Sequence, residues 1–379
     1  MNFRGVIFLL AALLVQPAMA FETAARAALV IDSNTGTVLL SKNADTPMPP
    51  ASMSKLMTLN MVFEALEDGR LTLDDTFRVS TKASQKGGSK MFVREGARVR
   101  IEDLIRGVIV QSGNDACIVL AEGLSGSESA FADSMTQRAR DLGMMNSNFV
   151  NATGWPDPGQ EMSAEDLVFL AGRLINHFPQ YYGYFSETEF VWEDIVQNNR
   201  NPLLSMGIGA DGLKTGHTEE AGYGLVGSAT RDGRRIIFMF GGLDSAAARS
   251  REAERITGWA FRDFAMKTLF EGGEIVDTAN VWLGAEDHID MGLAADIELL
   301  LPLATLDKIE AHYTFNDPIN APIRAGQEIG SLIVEVPGME PLTYPLVAMK
   351  NVEAGGFMER LSAATNLLLR RVRAVTSGT

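Results

Sequence analysis

Cysteine and histidine are nearly absent from this chain. Among 379 residues there is one cysteine, Cys117, and four histidines, His177, His217, His288 and His312, far apart from one another. A single thiol excludes a disulfide framework and any multi-cysteine zinc or iron–sulfur site. The histidines show no metal-ligand spacing, so neither a metal nor a cofactor is expected. Positive charge is also in short supply. With 33 Lys+Arg against 48 Asp+Glu the formal charge is -15. So acidic a protein is repelled by phosphates, which argues against a nucleic-acid partner unless a local basic patch exists. Beyond the amino terminus no stretch is apolar enough to cross a membrane. What the chain does have is 46% hydrophobic residues against 21% charged. That supplies a real core and rules out wholesale disorder. The length corresponds to roughly two to three domains.

Residues 1–20 have the form of an export signal. Arg4 gives a positive start, and Val6 to Val15 is an uninterrupted apolar run too short to span a bilayer easily. Pro17 breaks the run, and Ala18-Met19-Ala20 is a small-x-small cleavage site. The mature chain is expected to begin near Phe21 and to work outside the cytoplasm.

The body divides by periodicity. Two short strands are expected between Ala27 and Leu40, around an Asn34-Thr35-Gly36 turn. Helical spacing follows over Ser52–Leu66, Ile101–Val110, Asp115–Gly123, Glu128–Leu142 and Ala164–Ile175. After Lys214 the texture becomes β, with a hairpin at Arg231-Asp232-Gly233 joining Tyr223–Ala229 to Arg235–Phe240. A long helix is expected from Ser245 to Phe270. Strands at both ends with helices between them predict an α/β sandwich whose sheet is completed by non-local pairing. Residues 274–350 show short β-rich runs, such as Ile297–Leu301, Ile309–Phe315 and Gly330–Val336, and no helix. They read as a small all-β domain.

The end of the chain differs in charge. Phe357, Leu361, Ala364, Leu368, Val372 and Val375 are spaced as one helical face, with Arg360, Arg370, Arg371 and Arg373 off its centre and Glu359 the only acid. Such a basic amphipathic helix predicts a membrane-surface anchor. The expected organisation is a signal peptide over 1–20, a larger α/β domain over 21–272, a β-rich domain over 273–355 and a terminal helix over 356–379.

Three short motifs carry the chemistry. Ser52-Met53-Ser54-Lys55 places a hydroxyl and an ammonium on one helical face. A lysine whose pKa is lowered by burial or by a neighbouring cation can act as the base for a serine nucleophile. Ser112-Gly113-Asn114 lies between two predicted helices, where a loop can present a hydroxyl and an amide to a cleft. Lys214-Thr215-Gly216, followed by His217, falls on a predicted strand. A cation and a hydroxyl beside a glycine allow a carboxylate to approach the backbone edge. Each motif alone has an ordinary structural reading as a helix cap, a turn or a strand-surface lysine. Their order and separations together form a strong signal.

With these words in place, Pro50-Ala51-Ser52, Gln111 to Cys117 and Asp211 to Thr218, the sequence resembles the low-molecular-mass penicillin-binding proteins that are D-alanyl-D-alanine carboxypeptidases. The resemblance covers most of residues 24–270 and extends more loosely to the β-rich domain and terminal helix. It implies a β-lactamase/transpeptidase-like fold. It also implies roles: Ser52 as the acylated nucleophile, Lys55 as its proton acceptor, and Ser112 and Lys214 as the proton relay to the leaving amine. Asn114 would hold the substrate backbone, and Thr215, beside Gly216, the terminal carboxylate. The backbone N–H groups of Ser52 and His217 would form the oxyanion hole. A cationic carboxylate partner is also implied. Arg251, opening the word Arg251-Glu252-Ala253-Glu254, is chosen over its rival Arg249. The implied partners are a peptidoglycan stem peptide ending in D-Ala-D-Ala, β-lactams as covalent inhibitors, and the periplasmic face of a bacterial inner membrane.

Two enzyme rivals share the resemblance. A class A β-lactamase needs a Glu-x-x-Leu-Asn word, and neither Glu161 nor Glu165 begins one. A D,D-endopeptidase of this type usually lacks the β-rich domain and terminal helix. A non-catalytic wall-binding scaffold would be expected to have lost Ser52, Lys55 or Lys214. Cys117 reads as a buried small hydrophobe. Trp155 reads equally as cleft lining or as packing.

Overall fold

The computed structural model describes residues 21–337 and 339–356. The expected signal peptide and terminal amphipathic helix lie outside the described residues. The chain separates into two compact units after Arg262.

In the first unit, β1 (Ala27–Asp32) and β2 (Val38–Lys42) form the amino-terminal hairpin, and β3 (Ala210–Thr218), β4 (Gly222–Arg231) and β5 (Arg234–Leu243) follow much later in the chain. They make one antiparallel sheet in the order β2-β1-β5-β4-β3. The non-local pairing expected from the sequence is that of β1 with β5, from Ala27 opposite Gly241 to Asp32 opposite Ile236. The β4–β5 hairpin turns at Asp232 and Gly233, both with positive φ (52° and 79°), the geometry a twisted two-residue hairpin requires.

Side chains alternate across this sheet. Leu29, Ile237, Met239, Val226 and Leu213 face a large core built with α1 (Lys55–Glu67), α2 (Ile101–Ile109), α3 (Asn114–Ser125), α4 (Glu128–Asp141) and α5 (Ala164–His177). Ala28, Val30, Leu225, Ile236, Phe238 and Phe240 face the other way, against Ala253, Ile256 and Ala260 of α6 (Ala246–Arg262). Burial on both faces explains why β1 reads as a continuous apolar run. Serine hydroxyls cap several helices: Ser127 accepts from Ala130 N at 3.2 Å and Ser163 from Asp166 N at 3.0 Å.

The second unit is all β apart from a short 3₁₀ turn. β6 (Phe264–Phe270) pairs with β9 (Ile297–Pro302). β7 (Ile275–Trp282), β8 (His288–Gly292), β10 (Glu310–Phe315), β11 (Ile319–Asn320), β12 (Glu328–Glu335) and β13 (Leu342–Ala348) form a sheet in the order β10-β12-β13-β8-β7-β11. Two small apolar cores fill it, one around Leu301, Leu332 and Leu346, the other around Ile289, Met291 and Val352.

Two expectations need correction here. The helix expected to reach Phe270 ends at Arg262, and Phe264–Phe270 is a strand. Its apolar residues fit either period, and the ladder with β9 decides in favour of the strand. The unit boundary therefore falls at 262/263 rather than at 272/273, and β6 belongs to the β-rich unit.

Candidate active site

Ser52 lies in a 3₁₀ turn, Ala51–Ser54, that leads directly into α1 at Lys55. The turn is entered through Ala51 at φ 48°, a left-handed value uncommon for a residue with a Cβ. Lys55 Nζ stands 2.8 Å from Ser52 Oγ and donates to the Thr153 carbonyl at 2.5 Å. Lys55 is wholly buried. Burial, the largest influence, lowers its pKa to about 8 despite the opposing effect of Cys117. About a tenth of this amine is therefore unprotonated at pH 7, far more than for an ordinary lysine, and able to take the Ser52 proton.

The Thr153 carbonyl is held by a tight loop. Asn151 Oδ1 accepts from the N–H groups of Thr153 (3.0 Å), Gly154 (2.9 Å) and Trp155 (3.1 Å). Gly154 has φ 74°, and a Cβ there would lie 1.9 Å from the Ala51 carbonyl oxygen. Only glycine lets the loop close on the serine turn.

Ser112 and Asn114 come from the junction of α2 and α3. Ser112 has φ 60°, is 3% exposed, and its Oγ has no hydrogen-bond partner among the described residues. A buried, unengaged hydroxyl in a strained loop conformation marks a functional group more than a structural one. Asn114 Nδ2 donates to the Gly87 carbonyl at 2.9 Å. Asp115 next to it accepts from the N–H groups of Met91 (2.8 Å), Phe92 (2.8 Å) and Val93 (3.2 Å) and so fixes the segment that follows the 87–89 loop.

Lys214, Thr215, Gly216 and His217 lie on the edge strand β3, Lys214 opposite Val226 and Gly216 opposite Gly224. Lys214 is buried, not at a strand surface. Burial first, then Lys55 and Arg200, holds its amine well below the usual lysine range. A Cβ at Gly216 would meet Met53 Cγ and the Pro50 carbonyl oxygen at 3.0 Å, so this glycine lets the strand lie against the serine turn. The exposed ring of His217 stacks on Tyr223 with centroids 3.8 Å apart. Thr215 is buried beside them.

The two candidate arginines for the carboxylate differ in their surroundings. Arg251 is exposed on α6, whereas Arg249 is partly buried, with its guanidinium 5.7 Å from the Tyr223 ring. Arg249 is among the cations that lower the pKa of Lys214, and burial lowers its own. Two residues along a helix is more than half a turn, so the two arginines face different ways. The residue words in the sequence could not separate them. Arg200 was missed altogether. Burial lowers its pKa, it acts on Lys55, Lys214 and Arg249, and its Nη1 donates to Ser89 Oγ at 2.7 Å. Arg200 and Arg249 thus bring positive charge close to Lys214 in an acidic protein, which suits an anionic end group. Cys117 is fully buried, and burial pushes its thiol up to about 12, which excludes it as a nucleophile at neutral pH.

The D-alanyl-D-alanine carboxypeptidase model matches residues 14–242. The chain belongs to this family. Residues 264–354 match a second model, the C-terminal domain of penicillin-binding protein 5. D-alanyl-D-alanine carboxypeptidase DacD of Escherichia coli (strain K12) is 36% identical over 342 residues, covering 88% of each chain. The crystal structure of the D-alanyl-D-alanine carboxypeptidase DacD from Francisella tularensis superposes with a TM-score of 0.78 at 31% identity, covering 90% of this chain and 96% of that one. Penicillin-binding protein D2 from Listeria monocytogenes, solved in an ampicillin-bound form, gives 0.58 at 31% identity over 63% of this chain and 98% of that one. The enzyme is thus a serine hydrolase of the D-alanyl-D-alanine carboxypeptidase type, with the β-rich unit that accompanies penicillin-binding protein 5.

Proposed function

We propose that Ser52 and Lys55 carry out the acyl transfer by which this carboxypeptidase removes the terminal D-Ala from a peptidoglycan stem pentapeptide. The observation that carries this reading is the 2.8 Å approach of a fully buried lysine amine, with its pKa lowered to about 8, to a serine hydroxyl. Ser52 Oγ attacks the carbonyl between the two D-alanines as its proton passes to Lys55 Nζ. The tetrahedral oxyanion is held by the N–H groups of Ser52 and His217. Collapse breaks the C–N bond, and the departing amine takes a proton relayed through Ser112 and Lys214. Water then cleaves the ester. Asn114 positions the peptide, and Thr215 and Arg249 bind the carboxylate released with the terminal D-Ala. Penicillin acylates the same serine because its strained amide and carboxylate imitate D-Ala-D-Ala.

Mass spectrometry tests this. After incubation with penicillin, the peptide containing Ser52 should carry one adduct, and a D-Ala-D-Ala pentapeptide should lose one D-Ala. Ser52→Ala should do neither while remaining folded. Stoichiometric labelling of that variant would remove Ser52 as nucleophile. Rapid turnover of the label would identify a β-lactamase, and failure of the native protein to label would identify a scaffold.

The place of action is part of the same proposal. The leader over residues 1–20 exports the chain, and the basic amphipathic segment after residue 356 holds it on the periplasmic face of the inner membrane. No helix among the described residues is long and apolar enough to cross a membrane. The mature chain should co-sediment with anionic vesicles, less so in high salt, and a chain ending at residue 355 should not. Equal pelleting of the two would discard the anchor.

A further inference from the structure

On the acyl-transfer reading proposed above, on which this inference rests, Lys55 takes the Ser52 proton through the lone pair of its neutral amine. A neutral amine also carries two N–H groups, so it can turn the lone pair away from the hydroxyl. The Thr153 carbonyl, 2.5 Å from Nζ, engages one N–H and so limits that rotation, while Ser52 Oγ stands at 2.8 Å. Where this carbonyl points therefore bears on the proton transfer.

Ala152, the residue before it, is fully buried and tied on both sides to helices. Thr58 Oγ1, on α1, donates to the Ala152 carbonyl at 2.7 Å. The Ala152 N–H donates to Glu128 Oε1 at 3.2 Å, and Glu128 is the first residue of α4. Thr136, further along α4, holds the same segment at Phe149. Its Oγ1 accepts from Phe149 N at 2.9 Å and donates to the Phe149 carbonyl at 3.1 Å. Helix α4 thus backs the segment that ends at Thr153.

An ordinary reading of Glu128 falls short. A glutamate in the first turn favours a helix through its charge, and it does so while exposed. Ser127 already caps α4. Glu128 is instead 6% exposed. Its outer oxygen pairs with Lys82 Nζ at 2.8 Å, but the Lys82 side chain is 57% exposed, and a pair so open to water contributes little. Neither the helix start nor the ion pair accounts for taking a carboxylate out of water. The bond from Ala152 does, because a buried main-chain N–H needs an acceptor and the inner oxygen supplies it.

We propose that Glu128 is a positioning residue for the proton transfer: through Ala152 it sets the Thr153 carbonyl, which turns the Lys55 amine toward Ser52. The role rests on the reach of the inner oxygen rather than on the charge.

Three substitutions separate reach from charge. Glu128→Gln keeps an oxygen for Ala152 N and gives up the charge, while the exposed Lys82 can turn to water. Glu128→Asp keeps the charge and draws the oxygens back by one methylene. Glu128→Ala removes both. Stopped-flow acylation by a fluorescent penicillin yields the saturating rate constant and the half-saturating concentration, with folding followed by thermal melting. The saturating rate constant should fall about 10- to 100-fold in the Ala and Asp variants and less than about threefold in the Gln variant. The half-saturating concentration should stay within about threefold of native in all of them. Lys82→Met should leave both quantities within about twofold of native. An Asp variant as fast as the Gln variant, or faster, overturns the proposal, and so does a lowered Tm with the saturating rate of the folded protein unchanged. Should the Ala variant fail to fold, the order of Asp and Gln decides. These outcomes leave the carboxypeptidase reading intact. Failure of the native protein to be acylated overturns that reading, and the role of Glu128 with it.

Discussion

The two units of this chain are built on different terms. Among the described residues, all the buried polar and charged side chains lie in the first unit, at or before Thr257. They include two lysines, Lys55 and Lys214, together with Ser112, Asn114, Asp115 and Thr215. The second unit fills its two cores with aliphatic residues, Ala and Met. Burying an amine costs stability unless something compensates. The first unit spreads that cost over a large continuous core in which α1 to α5 pack on one face of the sheet. A pair of small apolar cores has no such reserve and no internal chemistry to support. The difference separates the part of the molecule that must tolerate strained electrostatics from the part that only has to fold.

Substitutions can sharpen or break this comparison. The largest effect belongs to Lys55→Arg. Arg keeps the charge but cannot give up its proton, so penicillin acylation should fall about 10²- to 10⁴-fold. Near-native acylation by that variant, followed by stopped-flow or gel labelling, would mean that the buried amine acts only as a charge. Arg249→Ala comes next. Losing a charge-assisted contact to the substrate carboxylate should lower kcat/KM about 10- to 100-fold, while Arg251→Ala should change it less than about twofold. Steady-state kinetics on one D-Ala-D-Ala peptide decides between them, and the reverse order would restore Arg251. The smallest effect on chemistry belongs to Leu332→Ala in the second unit. Removing this 2% exposed side chain should destabilise the β-rich unit by about 2–5 kcal/mol. Penicillin acylation should stay within about twofold of native. A large loss of acylation would show that the two units do not divide stability from chemistry.

Much of this was legible in the sequence because the signals are local. The spacing of Ser52 and Lys55, the Asp232-Gly233 turn and the helical runs over α2 to α5 all report near neighbours. What the sequence hides is set by distant contacts. The Thr153 carbonyl that receives Lys55 is 98 residues away from it in the chain. Asn151, which organises that carbonyl, stands outside the three motifs. Arg200 sits in a stretch with no motif, and only its position near Lys55, Lys214 and Arg249 gives it meaning. Arg249 and Arg251 differ in which side of α6 they occupy, which a residue word cannot encode. Phe264–Phe270 could continue a helix or begin a strand until its partner, Ile297–Pro302, is known.

The central claim is that burial makes Lys55 a working base for Ser52, and the pH dependence of penicillin acylation tests it most directly. Lys55 must be neutral to accept the serine proton, and its pKa lies near 8 rather than at the ordinary 10.5. The acylation rate should therefore rise about tenfold per pH unit below that value and level off above it. A flat profile from pH 6 to about 9, or a rise continuing unbroken to about pH 10.5, would contradict a buried, pKa-lowered lysine as the base.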